Sequence, residues 1–218
     1  MERTIDGDLA EVRRSLLRMG GLVEGMIEGA LRALLERDSL RAERLIKADL
    51  EVDLLEKEID ELCYSLLARH QPTAVDLRFV AAVVKINNDL ERMGDSAVNI
   101  AQAVQILNNE PPLKSHAAVP RLSKLVQQMV RESLDSFVQG NTELALEICG
   151  RDDQADRLYH EIFRDMLDLM IEDPRVVSRA IQFLLVARNL ERIADHATNI
   201  SEDVIYYVEG RDIRHTAG

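Results

Sequence analysis

The sequence contains no tryptophan, and aromatic residues make up only 4% of its 218 positions. β-Sandwiches and barrels build their strands from aromatic and β-branched runs set between frequent turns, so this scarcity argues against an all-β fold. Prolines (5) and glycines (10) are also few, leaving little punctuation for short elements. The two cysteines, Cys63 and Cys149, have no metal-finger spacing. Long apolar runs are missing: the longest, Phe79 to Val84, falls far short of the roughly 20 residues of a membrane span. Near the N-terminus no basic segment leads into an apolar one, which predicts no signal peptide and a cytoplasmic protein with reduced thiols. Basic residues are outnumbered, 27 Lys and Arg against 39 Asp and Glu, for a net charge of −12. Such a surface repels phosphate backbones, which argues against direct nucleic-acid binding and favours cations, metals or basic protein faces. An apolar fraction of 46% is ordinary for a folded chain of this length.

What is present is a duplication. Set 100 positions apart, Leu90, Glu91, Arg92, Asp95, Ala97, Asn99 and Ile100 are matched by Leu190, Glu191, Arg192, Asp195, Ala197, Asn199 and Ile200. Upstream the offset is 103, pairing among others Leu22 with Leu125, Met26 with Met129, Asp49 with Asp152, Asp53 with Asp156, and Ile59 with Ile162. Self-similarity at a fixed period marks a repeated structural unit. The spacing divides the chain into a first unit (1–110), a linker (111–117) opened by Pro111 and Pro112, a second unit (118–210) and a tail (211–218).

Each unit reads as three long helices. Val12, Leu16, Met19, Val23, Met26, Ala30 and Ala33 recur at steps of three and four, a heptad-like apolar seam. Asp38 or Ser39 is the expected N-cap of a second helix, whose seam runs through Val52, Leu55, Ile59 and Leu66 and ends before Pro72. The third uses Val83, Ile86, Leu90, Met93, Ala97, Ile100, Val104 and Leu107, and its copy repeats that register through Val186, Leu190, Ile193, Ala197, Ile200 and Val204. A single amphipathic helix cannot bury its stripe alone. The predicted fold is therefore all-α: two tandem three-helix bundles related by a pseudo-twofold axis.

The seam accounts for the apolar matches but not for the polar ones. Glu91, Asp95 and Asn99 stand at i, i+4 and i+8, off the seam and one above the other, and Glu191, Asp195 and Asn199 repeat them. Asp49 with Asp53, and Asp152 with Asp156, form further i, i+4 pairs on the second helices. Aligned carboxylates from neighbouring helices supply hard oxygen ligands suited to iron, manganese or magnesium and tolerable for zinc. The eight candidate metal ligands are thus Asp49, Asp53, Glu91, Asp95, Asp152, Asp156, Glu191 and Asp195. Asn99, Asn199 and His196 are auxiliary candidates, as a carbonyl donor, an outer support or a further ligand. A plain solvated acidic face would have the same composition. His160 and His196 lack counterparts in the first unit, where Lys57 and Ser96 stand. Gly21, Gly25 and Gly29 lie at steps of four, allowing close approach to another helix or to a second subunit in a homodimer. No Walker A loop, nucleophile elbow or Glu-x-x-His metal motif occurs.

Over nearly its whole length the chain resembles the PhoU family of phosphate-specific transport accessory and regulatory proteins. The resemblance is carried by the doubled Leu-Glu-Arg-x-x-Asp-x-Ala-x-Asn-Ile motif at 90–100 and 190–200 and by the ending Glu202 to Gly210. It implies two three-helix bundles in a cytoplasmic protein, peripheral to the membrane through its partners. It further implies repression of the phosphate-starvation response when phosphate is plentiful, through a sensor histidine kinase and the ATPase of the phosphate ABC transporter. In some members of that family Glu/Asp-x-x-x-Asp motifs hold multinuclear iron or zinc clusters, which would fall here on the four acidic pairs already named. The expected activity is that of an adaptor with no catalytic residues. A metal-dependent hydrolase or a metal store using the same carboxylates are the alternatives.

Overall fold

The computed structural model describes residues 5–113 and 118–214. Among these it contains α1 (Asp6–Glu36), α2 (Ser39–Arg69), α3 (Ala74–Asn108), α4 (Ala118–Gln139), α5 (Thr142–Cys149), α6 (Asp152–Glu172), a 3-10 turn (Pro174–Val176) and α7 (Val177–Glu209). The fold is all-α, as the sequence predicts. The seams on the first and third helices lie in the core: Val12, Leu16, Met19, Val23, Leu90, Met93, Ala97 and Ile100 are fully buried, as are Leu190, Ile193, Ala197 and Ile200.

Helix ends follow local chemistry. Asp38 is the N-cap of α2, its carboxylate accepting from Arg41 N–H at 2.9 Å. Arg37 ends α1 in the left-handed region (φ 55°), and its guanidinium donates to the carbonyls of Leu107 and Glu110 at 3.0 and 2.7 Å. One side chain thereby fastens the α1–α2 turn to the end of α3. Asn141 caps α5 through Leu144 N–H. Gly210 closes α7 with φ +70°, a conformation that disfavours any side chain.

One element departs from expectation. The middle helix of the second unit is not continuous like α2 but breaks at Gly150 and Arg151 into α5 and α6. The first unit has Lys47 and Ala48 at the corresponding places, both good helix formers. Gly150 lowers the local helix preference. Arg151 then turns its guanidinium to Glu132 on α4 and to Glu147, at 3.7 Å, rather than extending the stripe. The break makes Asp152 and Asp153 the first turn of α6, where the positive end of the helix dipole favours carboxylates.

The third helices of the two units, α3 and α7, share the largest interface and run antiparallel. Lys85 meets Asp203 at 2.7 Å, Asp89 meets His196 at 2.8 Å, and Asn99 donates to Asn189 at 3.3 Å. As the number rises on one helix it falls on the other. Arg78 adds a bond to the Tyr207 carbonyl at the far end. Residues past α7 return toward this interface, where Ile213 packs on the core and Arg214 lines a cleft with Lys85 and Asp203.

Candidate metal centre

The acidic pairs of each unit come together where its middle and third helices pack. In the first unit, Gly94 of α3 lies beneath α2: a Cβ built on it would lie 3.4 Å from Val52 Cγ1 and 3.9 Å from Asp49 Oδ1. This small residue lets Asp49 sit low over α3. Burial, and the negative charges of Asp53 and Asp95, raise the Asp49 pKa. Glu91 is raised by burial and then by Asp95, Glu56 and Asp53, against a lowering effect of Arg92. Asp49, Asp53, Glu91 and Asp95 thus form one electrostatic group. Glu56 joins it, a residue that pairwise matching misses because its counterpart is Tyr159. Its signal in the sequence was its place one turn beyond Asp53 on the same face.

The second unit gathers its carboxylates more tightly. Asp156 on α6 and Glu191 and Asp195 on α7 each offer a ligand oxygen, and these oxygens lie within 4.8 Å of one another. Among the described residues this is the one such trio. Asp152 completes the group, its Oδ1 accepting from the Thr198 hydroxyl at 3.3 Å. Burial and then the charge of Asp156 raise the Asp152 pKa, which the Thr198 bond partly offsets. Asp195 is likewise raised by burial, then by Asp152 and Asp156. Glu191 is only 7% exposed. Its Oε1 accepts from Arg188 Nη1 at 2.5 Å, while its Oε2 is buried with no hydrogen-bond partner. Its pKa is raised by burial and Asp195, with Arg188 opposing.

A buried carboxylate oxygen without a donor is costly. A bound cation would satisfy that oxygen and offset the mutual repulsion. The donor set, all carboxylate, suits a hard or borderline cation. The residues present therefore fit a metal ion, with Asp156, Glu191 and Asp195 as its ligands in the second unit and Asp152 beside them.

The auxiliary candidates are engaged elsewhere. His196 Nδ1 pairs with Asp89 Oδ1, and Asn199 Nδ2 donates to the same oxygen at 3.3 Å. Asn99 reaches across to Asn189. Residues 99 and 199 thus each bond the other unit's residue at position 189 or 89, a pseudo-twofold pair of contacts. Their recurrence in the motif is explained by the α3–α7 interface. These bonds give Asn99, Asn199 and His196 a role in helix packing beside the auxiliary role the sequence suggests, since i, i+8 spacing alone does not distinguish a ligand face from a helix-packing face. The glycine stripe is also divided. A Cβ built on Gly29 would lie 3.1 Å from Leu45 Cδ2, whereas Cβ atoms on Gly21 and Gly25 would meet nothing within 4 Å.

Comparison with known proteins agrees with this architecture. The PhoU domain matches residues 16–104 and again 119–204. The chain is 41% identical over 216 residues to a phosphate-specific transport system accessory protein PhoU homolog of Pseudomonas putida, covering 99% of this chain and 84% of that one. It is 42% identical over 208 residues to the homolog of Aquifex aeolicus, covering 95% and 94%. The crystal structure of PhoU from Pseudomonas aeruginosa superposes with a TM-score of 0.93 at 40% identity, covering 95% of this chain and 100% of that one. That of the phosphate transport system regulatory protein PhoU from Streptococcus pneumoniae gives 0.90 at 31% identity, covering 96% and 99%. These relatives are named as accessory or regulatory proteins of phosphate transport. A duplicated domain matched in both halves, with identity near 40% along almost the whole chain, establishes that this protein belongs to the PhoU family.

Proposed function

We propose that this chain is a regulator of phosphate uptake that represses the phosphate-starvation response when phosphate is plentiful. It acts as an adaptor between the ATPase of a phosphate ABC transporter and a sensor histidine kinase. The observation that carries this reading is the match of both halves to a domain whose relatives are named for phosphate-specific transport. The net charge of −12 and the long acidic faces suit docking onto basic surfaces, where complementarity sets on-rate and partner choice. Among the described residues no helix is long and apolar enough to cross a membrane. The working units are 1–110 and 118–210, joined by 111–117, with 211–218 as a tail and the chain as a homodimer in the cytoplasm.

The four acidic pairs, Asp49 with Asp53, Glu91 with Asp95, Asp152 with Asp156 and Glu191 with Asp195, hold metal ions in this reading. Iron or zinc are the first choices, and manganese or magnesium are chemically acceptable. A metal here would neutralise the clusters and fix the middle helix of each unit against the third, setting the shape of the docking face. The test compares secreted phosphatase activity in phosphate-rich medium between source cells with and without the chain. High activity in its absence is expected; unchanged activity would remove the regulatory assignment. Co-purification of the ATPase and the kinase with the tagged chain, lost on charge reversal of the acidic faces, would support the adaptor role.

A further inference from the structure

The duplication provides an internal comparison between two sites built on one framework. Their carboxylates correspond pair by pair, but their surroundings do not. Where the second unit has Arg188, the first has Asn88, and where the second has Tyr159, the first has Glu56. The guanidinium of Arg188 bonds Glu191 Oε1 at 2.5 Å and stacks over the Tyr159 ring, 5.9 Å from its centroid. In the first unit, Asn88 brings no charge and accepts from Arg92 Nε at 3.3 Å, while Glu56 adds a negative charge beside Glu91. Two of the differences therefore act in the same direction: each makes the first cluster more negative than the second.

From this we infer that Arg188 is a resident counter-cation of the second cluster, which competes with a metal ion for Glu191, so that the two clusters bind metal with unequal affinity. The inference rests on the metal reading above and adds the order of filling. Glu191 Oε2 is free to take a metal while Arg188 holds Oε1, but the guanidinium charge beside it opposes a cation, and a metal that takes both oxygens must also break the charge-assisted hydrogen bond. The Arg188 side chain is 53% exposed, so its head can swing into water once released. Among the described residues no guanidinium is hydrogen-bonded to Glu91, on which Arg92 acts only through its charge. The first cluster thus fills at lower metal concentration, and the second responds only when the metal is more abundant. The chain would then report two levels of the ion.

The experiment titrates the full chain with Mn²⁺, which thiols bind poorly, reading free ion by electron paramagnetic resonance. Glu91→Gln with Asp95→Asn isolates the second cluster, and Glu191→Gln with Asp195→Asn isolates the first. The first should bind more tightly. Arg188→Asn in the isolated second cluster should tighten binding about tenfold, and Asn88→Arg in the isolated first should weaken it about as much. In the isolated second cluster, the Arg188 Nε–Hε resonance should shift as Mg²⁺, used as a diamagnetic probe, is added. If Arg188→Asn melts like its parent and its affinity is unchanged or weaker, the inference fails while the metal reading stands. If the intact chain takes up no Mn²⁺, both fail. Should Arg188→Asn not fold, Asn88→Arg alone decides: unchanged affinity of the first cluster overturns the proposal.

Discussion

Replacing Asp156 with Asn should stabilise the metal-free protein and destabilise the metal-loaded one. The oxygens of Asp156, Glu191 and Asp195 lie within 4.8 Å of one another. At that separation two like unit charges repel by about 0.9 kcal/mol in bulk water and by about 3.5 kcal/mol at an effective dielectric constant of 20. Asp156 takes part in two such pairs. It lies at the solvent edge of the cluster and Arg188 already offsets part of the charge, so the relief falls toward the lower bound, about 1–2 kcal/mol. A chain of this length gains about 2–4 °C in Tm per kcal/mol, which predicts a rise of about 2–8 °C in chelator. Bound metal reverses the sign. An ion at a hundred times its Kd adds about 2.7 kcal/mol to the parent, and a variant lacking one ligand should lose most of that gain. Thermal melts of both proteins, each in EDTA and in excess Mn²⁺, should therefore cross. A lower Tm for Asp156→Asn in EDTA would show that Asp156 is a structural partner of α6, and the argument from repulsion would be wrong.

Three further outcomes follow from other parts of the molecule. Gly21→Ala and Gly25→Ala place their methyl groups in open space within a helix, so each should stabilise the isolated chain by about 0.5–1 kcal/mol in urea unfolding, and a loss of dimer in either would mark that face as the subunit contact. Lys85→Met leaves the buried Asp203 carboxylate without its partner and should cost about 2 kcal/mol at pH 7. Burial raises the Asp203 pKa even with Lys85 present, so its contribution is full at low pH and lost as pH rises through that raised value; the Lys85→Met penalty should shrink toward pH 4. Burial also pushes the Cys149 thiol up to about 11 and that of Cys63 to about 12. Alkylation of Cys149 at pH 8 should run about a hundredfold slower than for a free thiol, with Cys63 reacting only on unfolding; rapid labelling of both in the native protein would contradict this burial.

Most of the fold was legible because the apolar seam is strict. Leu90, Met93, Ala97 and Ile100, and their partners a hundred positions on, had only one way to be buried together. The acidic pairs were equally visible, since i, i+4 carboxylates repeated in both units stand out from the seam. What the sequence concealed depends on distance between elements. Residues 150 and 151 fall within an otherwise helical pattern, and the break there owes as much to Glu132 on another helix as to glycine. Asn199 stands at i+8 in the acidic stripe and His196 directly follows Asp195, but neither spacing says what opposes these side chains. Opposite them is Asp89, more than a hundred positions away. Glu56 and Arg188 went unnoticed for the converse reason: a search for matches between the copies passes over the places where they have diverged.

The antiparallel pairing of α3 with α7 also bears on how the chain is made. A ribosome adding about 5–20 residues per second needs roughly 5–20 s to pass from the end of α3 to the end of α7. Throughout that interval the nascent first unit displays the surface destined for α7, including Lys85 and Asp89 without Asp203 and His196. Maturation of this protein would therefore be timed by the arrival of its last helix, and a truncation anywhere within α7 would leave an exposed face that chaperones and proteases can recognise.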